Sequence, residues 1–269
     1  MWHFIMTETK IDKIKAAIKG NFDASPVEYQ SFEERHGFFR ILTKVLLDHM
    51  RLPANADILD IGCGTGASCR EILAAVPGSR VWGLDNSPAM LDVARSIFGE
   101  SDRVVFVEGD AAKLRDYFDF KFDGIIYSAS IFLVPDYRES LHQARSLLKP
   151  GGSVGLTFRD GPYDSDGNHL LQVAERTAKQ GLNLKRAVEW GELESSFEQF
   201  FPIHTAWIKD FRLSKKALQE FYSIPAISAG IFPRVDYAER VVRAAILFDH
   251  MPKTEILGRW RFMVGRLGE

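Results

Sequence analysis

Residues 58 to 66 read Ile-Leu-Asp-Ile-Gly-Cys-Gly-Thr-Gly, an apolar run that passes into three glycines at alternate positions. Glycine reaches backbone conformations closed to other residues and has no side chain to hold a ligand off, so Gly62, Gly64 and Gly66 suit a tight turn against a bound molecule. A helix opening at such a turn presents unbonded N–H groups to whatever the turn holds. Asp85 stands 19 residues after Gly66, at the end of a second apolar run, where one carboxylate can accept both hydroxyls of a ribose. A third run ends in Glu108-Gly109-Asp110, and Asp110 can accept a hydrogen bond from an exocyclic amino group. Together these residues describe a site for an adenosine-type ligand. The spacing of Gly62, Gly64 and Ala67 also satisfies the dinucleotide form G-x-G-x-x-[GA], so the glycines alone leave a nicotinamide-dependent oxidoreductase open.

Thiol and metal chemistry find less support. The two cysteines, Cys63 and Cys69, form no C-x-x-C pair, and ordinary packing accounts for both. The seven histidines are scattered without an H-x-x-x-H spacing, so no metal site is expected. His36, His169 and His204 are candidate bases by region alone.

The elements that must position these residues follow from periodicity. From residue 58, short apolar runs at 58–61, 81–84, 104–107, 124–128 and 153–158 alternate with helical patterns near 67–76, 88–98, 111–118 and 136–148. That rhythm is the signature of βαβ units in a parallel sheet. Ser87 as N-cap with Pro88 at the first helical position opens one helix, and Pro77-Gly78 and Pro150-Gly151-Gly152 close two others. Before the core, Ile11, Ile14 and Ile18 form a short amphipathic helix stopped by Gly20, and a longer helix runs from about 28 to 50. Beyond Arg159 the rhythm breaks into a Gly/Pro/Asp-rich loop and helices near 169–180, 213–222 and 236–250, with strand candidates at 203–211 and 259–265. A βα connection should not be that long, so the region reads as an insertion that lids the site.

The ordered set 58–66, Leu84-Asp85-Asn86-Ser87-Pro88-Ala89-Met90-Leu91, Gly109-Asp110-Ala111 and Leu147-Leu148-Lys149-Pro150-Gly151-Gly152 resembles the class I S-adenosylmethionine-dependent methyltransferases, in particular the small-molecule group of ubiquinone and menaquinone biosynthesis. The resemblance covers about residues 28 to 158. It implies a Rossmann-like α/β fold, a seven-stranded, mostly parallel sheet with one antiparallel strand and helices on both faces. It implies S-adenosyl-L-methionine as cofactor, with Asp60, Gly62, Gly64 and Gly66 around its methionine part, Asp85 on the ribose, Asn86 and Met90 beside the adenine, Asp110 and Ala111 at the adenine edge, and Ser128 near the methionine end. The acid after the third strand favours this reading over the oxidoreductase. Tyr29, in the helix resembling the family's N-terminal cap, is a further candidate on the cofactor side. No catalytic residue carries over: Tyr127-Ser128-Ala129-Ser130 stands where an Asn-Pro-Pro-Tyr motif would indicate attack by a base's amino group.

Composition narrows the partner. The chain has 269 residues, 46% hydrophobic and 26% charged, as in an ordinary globular protein. Its 34 basic and 36 acidic residues give no basic field to gather nucleic acid, so a small-molecule acceptor is expected, with RNA or protein methylation, or cofactor binding without catalysis, as alternatives. No apolar run is long enough to span a bilayer and no export signal is seen, which together with two cysteines points to the cytoplasm. Oligomeric state is left open. The division expected is an N-terminal helical cap over 1–52, the cofactor-binding core over 53–159, a mainly helical insertion or lid with an edge strand over 160–258, and a C-terminal edge strand over 259–269.

Overall fold

The computed structural model describes residues 2–179, 181–184, 187–252 and 254–268, and for residues 2–9 the backbone alone. Three helices, α1 (Trp2–Asp23), α2 (Pro26–His36) and α3 (Phe38–Leu47), precede the first strand. There follow β1 (Asp57–Ile61), α4 (Ala67–Ala75), β2 (Arg80–Asp85), α5 (Pro88–Phe98), β3 (Val104–Glu108), β4 (Phe122–Tyr127), α6 (Tyr137–Leu147) and β5 (Leu148–Tyr163). The remainder is α7 (Leu170–Ala178), α8 (Trp190–Phe200), β6 (Ile203–Leu213), α9 (Lys215–Ser223), α10 (Pro225–Ile231), α11 (Tyr237–Asp249) and β7 (Ile256–Arg266). The seven strands form one sheet in the order β3-β2-β1-β4-β5-β7-β6. The first five are parallel, and β7 runs antiparallel to both β5 and β6.

Burial explains the apolar runs. A parallel sheet covered on both faces needs apolar residues at successive positions, and in β1 Ile58, Leu59 and Ile61 are fully buried. One apolar layer joins α2 and α3 to the lid helices through Phe32, Leu42, Leu46, Phe221 and Phe248. The other lies beneath α6 and α8 and contains Leu59, Phe122, Leu141 and Phe197.

Several elements differ from their sequence expectation for identifiable reasons. The helix expected over 28–50 is broken at Gly37, which has φ 58° and whose N–H closes on the Glu33 carbonyl at 2.7 Å. The buried Glu33 carboxylate then accepts from Phe39 N–H at 2.8 Å and Arg40 N–H at 3.2 Å, capping α3 from the preceding helix. The helix expected over 111–118 shrinks to one 3-10 turn, Leu114–Asp116, because Asp110 Oδ1 accepts from Ala112 N–H at 2.9 Å and turns the chain there. Gly20 does not stop α1, which continues to Asp23. The last strand, expected at an edge, lies between β5 and β6, and β6 takes the edge. Strand β7 buries Phe262 and Met263, whereas β6 leaves Ile203 and Ile208 exposed, so the more apolar strand occupies the interior place.

Pairing with β7 also carries β5 past the end of β4, out to Tyr163 opposite Leu257. A register shift between Arg159 and Gly161 interrupts that ladder. Such bulges re-aim side chains, commonly beside functional sites. No helix among the described residues is long and apolar enough to cross a membrane. The described residues hold no group of three or more His, Cys, Asp or Glu that could bind a metal ion.

Candidate functional site

The turn after β1 is built as its composition requires. Gly62 and Gly66 have φ of 75° and 84°, left-handed values that strain any other residue. A Cβ on Gly62 would overlap the Ser130 side chain, and one on Gly66 would stand 2.7 Å from the Phe98 ring. Asp85, at the end of the neighbouring strand, holds the turn in shape: its Oδ2 accepts from Gly64 N–H at 2.8 Å and its Oδ1 from Ser87 N–H at 2.9 Å. A carboxylate has about four acceptor sites, so the two used here leave capacity for ligand hydroxyls. Burial raises the pKa of Asp85.

Over this turn opens a cleft of about 920 Å³ along the carboxyl ends of the strands. That is where ligands sit in open α/β sheets, at the point where strand order reverses between β1 and β4. Seven of the residues expected around the cofactor line it: Tyr29, Gly62, Gly64, Asp85, Asn86, Asp110 and Ala111. Tyr29 stacks on Phe39 with ring centroids 4.5 Å apart, and burial pushes its phenol well above the ordinary value.

Four expected residues do not line the cleft. Gly66 faces Phe98 and Phe106. Met90 is fully buried under the α5 cap, where its N–H donates to Ser87 Oγ at 3.2 Å. The Ser128 hydroxyl is bonded to that of Thr43 at 2.8 Å. Asp60 is fully buried, with Oδ2 accepting from Ser68 Oγ and, at 3.2 Å, from Cys69 Sγ. Burial raises its pKa to about 6, and the Asp85 charge adds to the shift. Asp60 Oδ1 is buried without a hydrogen-bond partner, so the site holds unmatched negative charge that a cationic ligand group would relieve. Cys63 and Cys69 are buried, and burial pushes the Cys63 thiol up to about 11, which keeps it protonated.

The three histidines considered as bases lie elsewhere: His36 Nε2 meets Glu220 at 2.7 Å, His204 Nδ1 meets the Phe201 carbonyl at 3.1 Å, and His169 packs edge-on against Tyr163. None of them lines the cleft.

Sequence reading missed Lys15 in the roof and most of the far wall. Lys15, Ile18 and Phe22 of α1 line the cleft, and their i, i+3, i+7 spacing is a legible helical face. Lys15 Nζ bridges Asp110 at 2.9 Å and Asp136 at 2.6 Å. At the C-terminal end of α1, Asp23 accepts from Ser87 Oγ at 2.7 Å, fixing the roof to the cap of α5. The far wall consists of Phe132, Leu133 and Val134 after β4, Arg159 on β5, and Phe221, Ile227 and Trp260 from the lid and β7.

This geometry has known counterparts. Residues 58–152 match the methyltransferase domain family. Trans-aconitate 2-methyltransferase of Enterobacter sp. (strain 638) is 35% identical over 120 residues, 45% of this chain and 44% of that protein. Demethylmenaquinone methyltransferase of Staphylococcus aureus (strain JH9) is 33% identical over 125 residues, 46% of this chain and 50% of the relative. The chain thus spans about half the length of these curated relatives. Among solved structures, phosphoethanolamine N-methyltransferase 2 of Haemonchus contortus, in complex with S-adenosyl-L-methionine, shares the fold with a TM-score of 0.53 and 20% identity, covering 84% of this chain and 52% of that one.

Proposed function

We propose that this chain, whose residues 58–152 form a methyltransferase domain of the class I type, transfers a methyl group from S-adenosylmethionine to a small-molecule acceptor. The observation that carries the reading is one continuous cleft with an acidic, glycine-floored end and an apolar, aromatic end, roofed by α1 and walled by the lid. The first end suits a nucleoside bearing positive charge, and the second suits an enclosed organic acceptor. When bound, the cofactor supplies an electrophilic methyl group on a sulfonium.

The chain's own residues supply position. Asp85 is oriented by two backbone N–H groups to receive ribose hydroxyls, and Asp110 stands two strands from the turn, at the adenine end. The unmatched negative charge of Asp60 behind the turn favours a cationic methionine part over a neutral one. Methyl transfer is an in-line displacement, so aligning the acceptor and excluding water matter most, an effect that reaches roughly 7–11 kcal/mol in well-oriented reactions. Phe132, Phe221 and Trp260 line the acceptor end with apolar surface, which suits both tasks.

Calorimetry with S-adenosylhomocysteine tests the reading, with NAD as control ligand. Saturable binding of the first alone is expected, with affinity lowered at least thirtyfold in Asp85→Ala. Binding of NAD, or unchanged affinity in the variant, would refute the assigned site.

A further inference from the structure

Beside the main cleft lies a second cavity of about 360 Å³, and Arg159, Phe221 and Trp260 line both. The rest of its wall includes Phe32 of α2, Phe38 of α3, Leu213 at the end of β6, Ala217 and Leu218 of α9, and Gly258 of β7. Strand β5 stands three strands from β2 in the sheet order, which at about 4.8 Å per strand sets it roughly 14 Å from the strand that carries Asp85, and β7 is one strand farther. The second cavity therefore lies beyond the acceptor end, on the side away from the nucleoside.

Side chains, not strands, separate the two spaces. Phe221 and Trp260 pack on Phe38 with ring centroids 6.3 and 5.9 Å apart, and Phe132 stands 6.2 Å from Trp260. A partition of rings opens by a change of rotamer, whereas one of backbone would require a strand to move.

The chemistry of the second wall is one-sided. Among the described residues that line it there is no acid, amide, histidine, serine or threonine. The charged group in the wall, Arg159, and the phenol of Tyr222 are both engaged within the protein, the guanidinium lying 5.4 Å from the Phe221 ring centroid and 5.7 Å from that of Tyr222. A hydroxyl or amide carried into this space would lose its water without gaining a partner, whereas each methylene buried there is favourable. Protein interiors leave few spaces larger than a water molecule, so an apolar cavity joined to a ligand cleft is better matched by ligand than by packing.

We infer that the second cavity receives an aliphatic arm of the acceptor, whose reacting group lies in the main cleft and whose chain passes Phe221 and Trp260. The inference rests on the methyltransferase reading and names the substrate class of the same site, an elongated molecule with an apolar tail. Ala217 and Leu213 line the second cavity alone and Phe132 the main cleft alone, so each space can be altered separately.

The test uses the full chain loaded with S-adenosylhomocysteine, with 1-hexanol, 1-octanol, 1-decanol and the compact ten-carbon alcohol 1-adamantanol as probes and binding read by calorimetry. Affinity should rise about two- to fourfold for each added methylene, and 1-decanol should bind about tenfold or more tightly than 1-adamantanol. Ala217→Leu, which fills the second cavity, should lower 1-decanol affinity about fivefold or more while S-adenosylhomocysteine affinity, the control for folding, stays within twofold of wild type. Phe132→Trp, which narrows the main cleft, should lower 1-decanol affinity about threefold or more, because the ligand spans both spaces. Leu213→Phe fills the second cavity from β6 and replaces Ala217→Leu should that chain no longer bind S-adenosylhomocysteine. Equal binding of 1-adamantanol and 1-decanol, no rise with chain length, or 1-decanol affinity unchanged in a variant of either cavity that still binds S-adenosylhomocysteine would each overturn the inference. Failure of the wild-type chain to bind S-adenosylhomocysteine would instead overturn the methyltransferase reading beneath it.

Discussion

Asp60 shows how a single residue can trade stability for a site. Its carboxylate is fully buried, Oδ2 is bonded to Ser68 and Cys69, and Oδ1 has no partner. Burial raises its pKa to about 6, against about 3.9 for an aspartate in an unfolded chain. The folded chain therefore keeps a proton that the unfolded chain has lost between about pH 4 and pH 6, and stability falls as pH rises through that window. Above it, keeping Asp60 ionised costs about 3 kcal/mol at most. Asp60→Asn keeps the shape and an acceptor oxygen without the charge. Urea unfolding of the ligand-free variant should show it more stable than wild type by about 1–3 kcal/mol at pH 7.5, with the gain fading towards pH 4. The same variant should bind S-adenosylhomocysteine, whose α-amino group is cationic, about tenfold more weakly. A stability difference equal at both pH values would show that Asp60 carries no titrating burden.

At the scale of elements, α1 contributes more to the cleft than its apolar pattern shows. The sequence pattern reads as a short amphipathic helix, yet Lys15, on the same face as Ile18 and Phe22, spans Asp110 and Asp136 across the cleft. Burial works against the charge on Lys15, and hydrogen bonds to Asp136 and Asp110 more than offset it, so its pKa is raised. A strap of this kind acts on escape more than entry. In Lys15→Met, stopped-flow release of S-adenosylhomocysteine should be about three- to tenfold faster with the association rate changed less, and the salt dependence of release should flatten as the ion pairs disappear. Release as slow as wild type would mean the roof is held by Ile18 and Phe22 packing instead.

The contrast between α1 and the core shows what was legible in the chain. The glycine turn, Asp85 and the cap at Ser87 follow from local chemistry, because a left-handed turn, a strand end and a helix start each demand particular residue types within a few positions. Arg159 is legible in the same way, as the end of a strand facing the crevice, whereas Lys15 was illegible as a site residue because its role depends on neighbours far along the sequence, Asp110 and Asp136. Helices α8 and α10 escaped for a related reason. Pro225 opens α10 within a seven-residue helix whose support is burial of Ser228, Ala229 and Ile231 against the rest of the lid, not its own periodicity. The placement of β7 inside β6 likewise depends on which strand the sheet buries, a choice visible only once both are paired.

For the whole molecule, the division proposed at 1–52, 53–159, 160–258 and 259–269 marks roles in binding more than units of folding. Helices α2 and α3, the lid and the sheet share one aromatic cluster, in which Phe38 contacts Phe32 of α2, Phe211 of β6, Phe221 of α9 and Trp260 of β7 at centroid distances of 5.8 to 6.4 Å. A second tie joins the ends of the cap and lid, where Ser25 Oγ accepts from Ala226 N–H at 2.8 Å. A chain of this length often unfolds in steps, but no step can release the cap or the lid without opening this cluster. Urea unfolding followed by tryptophan fluorescence and by far-ultraviolet circular dichroism should therefore give coincident curves. Phe38→Ala removes the ring at the centre of the cluster and should cost about 3–5 kcal/mol, moving both curves together. If fluorescence moved to lower urea and the dichroism curve stayed in place, the cap and lid would be separable from the sheet, and the enclosure of the acceptor end would have to come from the ligand itself.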